Sequence, residues 1–247
     1  MALCKFVRLI VKFSKWAALS LSLVGLAALN SALAIEVFPV VKEIREETPR
    51  DNYITVKSMY QAKDSVTEND TDKQRYEFVT LELFYVPNPG DGQEQRVKVL
   101  GSADPKLVFS PTRLVIPYGE ERKVRIMPLK PVEKEQVYRL RVRPSYPEQE
   151  LDKGKVRFAV GYDVLLRYLP ASKHHQGIAL SCDRQQWTLS ATGNVRSELH
   201  NLVIDGRKSV GQFNVYPGHN RTLTVNRTLA FELDNKLQVY EQCQHKE

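Results

Sequence analysis

Cysteine is scarce in this chain: among 247 residues there are three, Cys4, Cys182 and Cys243. No Cys-x-x-Cys or His-x-x-x-His spacing is present, so a zinc site has no local framework, and His174, His175, His200 and His219 are too scattered to supply one. A G-x-S-x-G elbow and a glycine-rich phosphate loop are also missing, which leaves nucleophilic hydrolysis and nucleotide chemistry without a home. Nor is there a run of helical periodicity of useful length. These absences exclude the common enzyme classes, and the chain is read as a non-enzyme without metal or cofactor.

The charge needs the same care. The formal net charge is +7, but Lys5, Arg8, Lys12 and Lys15 fall in the first 34 residues with no acid beside them. The remainder carries 32 basic and 29 acidic residues, a net +3 without a basic stripe, so binding to nucleic acid is not expected. Those four cations precede an apolar run, Trp16 to Leu29, and the small-x-small pattern Ala32-Leu33-Ala34. Residues 1–34 thus read as a cleaved secretory signal, with the mature chain starting at Ile35. The run is about 14 residues, short of the roughly 20 that a membrane anchor needs. Cys4 leaves with the leader. Cys182 and Cys243 then form an even pair in an oxidising compartment and are expected as one disulfide, two buried thiols being the alternative.

What is present from Ile35 onward is a series of short alternating segments broken by Pro, Gly, Asn and Asp, the pattern of an all-β protein. Pro39 interrupts the first segment, Ile35 to Ile44, and marks an edge strand or a strand that changes sheets. Further strands are expected at Tyr53–Tyr60, Glu77–Val86, Val97–Leu100, Leu107–Phe109, Arg113–Ile116, Arg122–Met127 and Val137–Arg143. A polar loop is expected from Ala62 to Arg75, and another from Tyr146 to Lys155. A long strand, Val156 to Leu169, ends at Pro170. The polar stretch Ala171 to Gly177 separates two blocks, 35–170 and 177–247, each the size of a small sandwich. In the second block, strands are read at Ile178–Cys182, Gln186–Ala191, Leu199–Ile204, Phe213–Tyr216, Thr222–Val225, Ala230–Leu233 and Leu237–Tyr240.

Several segments carry a specific resemblance. The run from Leu107-Val108-Phe109-Ser110-Pro111 through Arg122-Lys123-Val124-Arg125-Ile126 resembles the periplasmic chaperones of the chaperone–usher pathway. So does Tyr138-Arg139-Leu140-Arg141-Val142. Leu165-Leu166-Arg167-Tyr168-Leu169-Pro170 and Gly193-Asn194-Val195-Arg196 look most like the alternate, CFA/I-type branch. The resemblance implies two immunoglobulin-like β-sandwich domains with a cleft between them, and a periplasmic protein that complements pilin subunits, major and minor, and delivers them to an outer-membrane usher. It also allows a self-dimer when the chaperone is free. By position it implies Lys42 as one anchor for the pilin's C-terminal carboxylate; the lysine of the family's more common form falls at Leu165, and Arg167, two residues on and on the same face, is read as the second anchor, as in the alternate branch. It further implies Val156, Phe158, Val160, Tyr162, Val164 and Leu166 as the row entering the pilin's groove. From alternation alone that row reads as an ordinary core face. The rival functional reading is a secreted β-sandwich adhesion or structural pilus component; a sugar-binding module is less favoured because Trp187, the one tryptophan beyond the leader, lies in an alternating strand.

Overall fold

The computed structural model describes residues 35–59, 76–90, 92–145, 160–211 and 213–246. The leader expected over 1–34, both long loops and the start of the long strand expected from Val156 lie outside them. Every regular element among the described residues is a strand, and they form two β-sandwiches.

In the first sandwich, one sheet has the order β1 (Ile35–Phe38), β3 (Tyr53–Ser58), β8 (Glu121–Pro128) and β6 (Leu107–Ser110). The facing sheet has the order β2 (Val41–Ile44), β10 (Tyr162–Tyr168), β9 (Gln136–Pro144) and β4 (Tyr76–Val86), with β5 (Val97–Lys98) and β7 (Arg113–Pro117) also paired to β4. The break at Pro39 does what its lack of an N–H predicts: β1 pairs antiparallel with β3, and after the proline β2 pairs parallel with β10 in the other sheet. The strand therefore changes sheets. Strand β4 shows why alternation builds the core. Glu77, Val79, Leu81 and Leu83 are buried, and the residues between them are not. Between β7 and β8 the chain reverses through Pro117-Tyr118-Gly119-Glu120, where Glu120 N donates to Pro117 O at 3.0 Å and Gly119 takes φ +78°, the third-position angle of a type II turn.

One core-facing position breaks the pattern. Glu77 is buried, its Oε2 has no hydrogen-bond partner among the described residues, and burial pushes its pKa up to about 7. Below about pH 4.5 both folded and unfolded states hold the proton and nothing is lost. As pH rises towards 7 the unfolded chain ionises while the folded one resists, so stability falls. A shift of that size corresponds to about 3 kcal/mol in full, reduced to about 1–2 kcal/mol by solvent near the strand end. Glu77→Gln should therefore stabilise the protein by about 1–2 kcal/mol at pH 8 and have no effect at pH 4. Urea denaturation at the two pH values checks this, and equal gains at both would contradict it.

The second sandwich packs a sheet of β11 (Ile178–Asp183), β12 (Gln186–Ala191) and β16 (Asn220–Thr224) against one centred on β13 (Ser197–Ile204). That sheet includes β14 (Arg207–Lys208), β15 (Phe213–Val215), β17 (Thr228–Leu233), β18 (Lys236–Glu241) and β19 (Gln244–Lys246). Trp187, Leu189, Leu199, Leu229 and Phe231 fill the space between, each at most 2% exposed. Three hairpins of this sheet reverse through two residues that both have positive φ: Asp205-Gly206, Asp234-Asn235 and Gln242-Cys243. The Cys182–Cys243 disulfide is formed and joins the first strand of one sheet to the last turn of the other.

Candidate functional site: the junction of the two sandwiches

The sheet that holds β10 turns one face to its own core and the other outward. Cross-strand register sorts the side chains, because residues opposite one another share a face. Val164, Leu166 and Tyr168 are fully buried on the core face with Ile44 and Leu140. On the outward face, one row runs Glu43, Arg167, Val137, Val86, and the next runs Val41, Leu165, Arg139, Phe84. Val86, Val137 and the half-buried Leu165 pack against Tyr216 of the second sandwich. The outward face therefore meets the second sandwich along the Arg167 row.

At that row the charges are tightly arranged. Arg167 donates from Nε and Nη2 to the two carboxylate oxygens of Glu135, at 2.7 and 3.0 Å, and from Nη1 to Glu43 Oε1 at 3.1 Å. Glu135 Oε2 also accepts the backbone N–H of Arg196 at 2.7 Å, and Glu135 N donates to Asn194 O at 2.8 Å. One buried carboxylate thus ties both sandwiches together. Burial works against the Arg167 charge, but its hydrogen bonds to Glu135 and the fields of Glu135 and Glu43 outweigh it and hold its pKa above the usual value. For Glu43 burial pushes upward, while hydrogen bonding to Arg45 and the charge of Arg167 pull its carboxyl below the ordinary range.

The segment Gly193-Asn194-Val195-Arg196 acquires a physical meaning here. Asn194 Oδ1 accepts from His175 N at 2.9 Å, and its Nδ2 donates to Ser172 Oγ and Lys173 O, each at 3.0 Å. A Cβ at position 193 would lie 2.2 Å from His175 O, so only glycine lets the connecting stretch approach this closely. Arg221 adds a second tie by donating from Nη1 to Gly90 O at 2.6 Å.

Further from the junction the outward cations already have partners. Arg139 forks onto Glu94 at 3.0 and 2.7 Å, which raises its pKa, and Asp163 is flanked by Arg96 at 2.8 Å and Arg141 at 3.3 Å.

The expected site residues divide. Arg167 is on the outward face beside the second sandwich. Lys42 is not with it. It lies opposite Leu166, so it shares the core-side face, and its Nζ sits 6.0 Å from the Tyr53 ring of the other sheet. The two expected cations therefore lie on opposite faces of the sheet. Of the expected groove row, Val156 and Phe158 lie outside the described residues. Val160 is half exposed. Tyr162 packs against its own core and donates its hydroxyl to Ile35 O at 3.2 Å. Val164 and Leu166 have no exposure at all, because the facing sheet covers them, so they belong to this protein's core and not to a partner's groove. Glu135, Glu43 and Tyr216 carry no signal in the sequence that marks them for this site. Nothing in the local pattern around Glu135 separates it from the other charged residues of that loop.

Beside these residues runs an open strand edge. Pairing of β2 with β10 begins at Leu165, so Tyr162 to Val164 have β9 on one side and, among the described residues, no strand on the other. Phe38, Val40, Val41 and Val160 are exposed around this edge.

Among the described residues, then, two β-sandwiches are joined through a pinned connection, with an exposed apolar edge at one side of their junction. No protein-family model matches the chain. It is 25% identical over 173 residues to a CFA/I fimbrial subunit of Escherichia coli, covering 63% of this chain and 71% of that protein. It is 25% identical over 158 residues to a CS1 fimbrial subunit of the same organism, covering 58% and 66%. Among solved structures it is similar to the class 5 fimbriae chaperone CfaA, with 19% identity, a TM-score of 0.62, and coverage of 86% of this chain and 99% of that one. A chain of the chaperone–tip adhesin complex of CFA/I fimbriae biogenesis gives 19% identity, a TM-score of 0.63, and coverage of 86% and 98%. A chain of the Salmonella enterica SafA pilin–SafB chaperone complex gives 10%, 0.54, and 84% and 95%. The fold is that of these chaperones.

Proposed function

We propose that this chain is an exported periplasmic chaperone that holds pilin subunits by lending them a strand and passes them to an outer-membrane usher. The observation that carries this reading is the two-sandwich fold shared with a fimbrial chaperone over 86% of the chain. The open edge of β10 supports it. A pilin with an incomplete sandwich can add its groove there, taking backbone hydrogen bonds from the stretch Val160 to Val164, with Val160 as an inserted side chain. Arg167 then anchors the pilin's terminal carboxylate at the junction through charge-assisted hydrogen bonds. The role is one of binding, and none of these residues has to transfer a proton or form a covalent bond.

The test is co-purification from the periplasm with the pilins encoded nearby. Wild type should yield a one-to-one complex. Val160→Asp places a charge in the pilin's apolar groove while changing an exposed side chain, so it should lose at least about tenfold in affinity and keep its thermal transition. A wild type that captures no pilin, or a Val160→Asp variant that binds normally, goes against the reading.

A further inference from the structure

The guanidinium of Arg167 has two edges with different occupants. Nε and Nη2 rest on Glu135, whose side chain has no exposure and cannot leave without releasing the Arg196 N–H as well. Nη1 rests on Glu43, whose side chain is 42% exposed and whose second oxygen already accepts from Arg45 Nη2 at 2.7 Å. The same buried cation thus has one fixed carboxylate behind it and one loosely held carboxylate in front. The front one sits on β2, a four-residue edge strand, in the row that meets the second sandwich.

We propose that Glu43 is an internal stand-in for the pilin's terminal carboxylate, occupying Arg167 Nη1 in the empty protein and moving onto Arg45 when a pilin is captured. The proposal rests on the chaperone reading and deepens it. The exchange is chemically even: one carboxylate replaces another on Nη1, so Arg167 keeps two acidic partners before and after, and Glu43 retains a guanidinium partner throughout. Without Glu43, Arg167 would keep Glu135 but its Nη1 donor would be left without this acceptor at a largely buried position, and the stand-in removes that cost. Its own hold is weak because it is part exposed, so an incoming carboxylate seated in a covered cleft can displace it. The device also confers selectivity. A ligand without a free C-terminal carboxylate has nothing to offer Nη1 in return for Glu43.

The experiment uses a peptide with the last 20 or so residues of the co-purifying pilin, as free acid and as C-terminal amide, titrated calorimetrically into the full mature protein. Wild type should prefer the free acid. Glu43→Gln should tighten the free acid about 3- to 10-fold, the range set by a part-exposed charged contact, and leave the amide unchanged. Glu43→Asp keeps the charge but shortens the arm, and it should also tighten the free acid, which a simple field effect would not do. Glu47→Gln removes an equal charge from the neighbouring hollow that Arg45 lines, and should change neither peptide. Arg167→Lys, which retains the charge without the two-edged geometry, should lose the preference for the free acid. Equal free-acid affinity in wild type and Glu43→Gln overturns the proposal, as does tightening of both peptides together. Failure of the wild type to bind either peptide or the intact pilin overturns the chaperone reading along with it.

Discussion

Glu135→Ala should lower the stability of the protein by about 3 kcal/mol, read as a fall in urea midpoint at constant slope. The carboxylate is fully buried and accepts from Arg167 twice and from the Arg196 backbone once. Its removal leaves a largely buried guanidinium with only the half-exposed Glu43, and leaves a buried N–H without an acceptor. Breaking one side of a buried pair costs about 3–5 kcal/mol, and the surviving Glu43 contact places this case at the lower end. A double variant with leucine at positions 135 and 167 tests the cause. If the loss comes from stranded charge and not from lost volume, the double variant should be more stable than Glu135→Ala. A shift below about 1 kcal/mol for the single variant would mean that the Glu135 carboxylate does not hold the junction together.

The second large effect is expected at the disulfide. Cys182 and Cys243 are separated by 61 residues and lie on the two sheets of the smaller sandwich. Closing a loop of that length removes about 4 kcal/mol of unfolded-chain entropy on the loop-closure model, with measured values lying between about 2 and 4. A sandwich of some 70 residues has a small core to set against that. The Cys182→Ser/Cys243→Ser double variant should therefore unfold its second sandwich at lower denaturant while the first holds, giving two transitions where one is expected for the wild type. Near-ultraviolet circular dichroism, sensitive to Trp187 in the second core, and the fluorescence of the first-sandwich tyrosines follow the two parts separately. A single unshifted transition in both probes would contradict the expectation.

Much of this architecture is legible in the sequence because its signals are local. Pro39 cannot donate to a ladder, and it marks the change of sheet. Asp205-Gly206 and Asp234-Asn235 are turn-forming pairs, and both sit in tight hairpins. The Gln242-Cys243 turn has no such composition, so the short strand after it leaves no sequence signal. The same limit applies at the site. Arg167 and Lys42 lie on opposite faces because side-chain direction on β2 is set by its parallel register with β10, which neither strand's own alternation reveals. Val164 and Leu166 mislead for a related reason. A continuous apolar row records that it is covered, not which chain covers it, and here the cover is the protein's own facing sheet.

The stretch between the sandwiches looks like a hinge in composition, yet Asn194 holds it at three points and Gly193 lets it lie against the second sandwich without a gap. A molecule built this way has a fixed angle at its junction. On the proposed reading, a cargo would meet a cleft already set, so little ordering entropy would be lost at capture. Opening the junction would then be a poor route to release. Letting go would fall to the edge, where a competing strand could peel the cargo away one hydrogen bond at a time while the two sandwiches stay as they were.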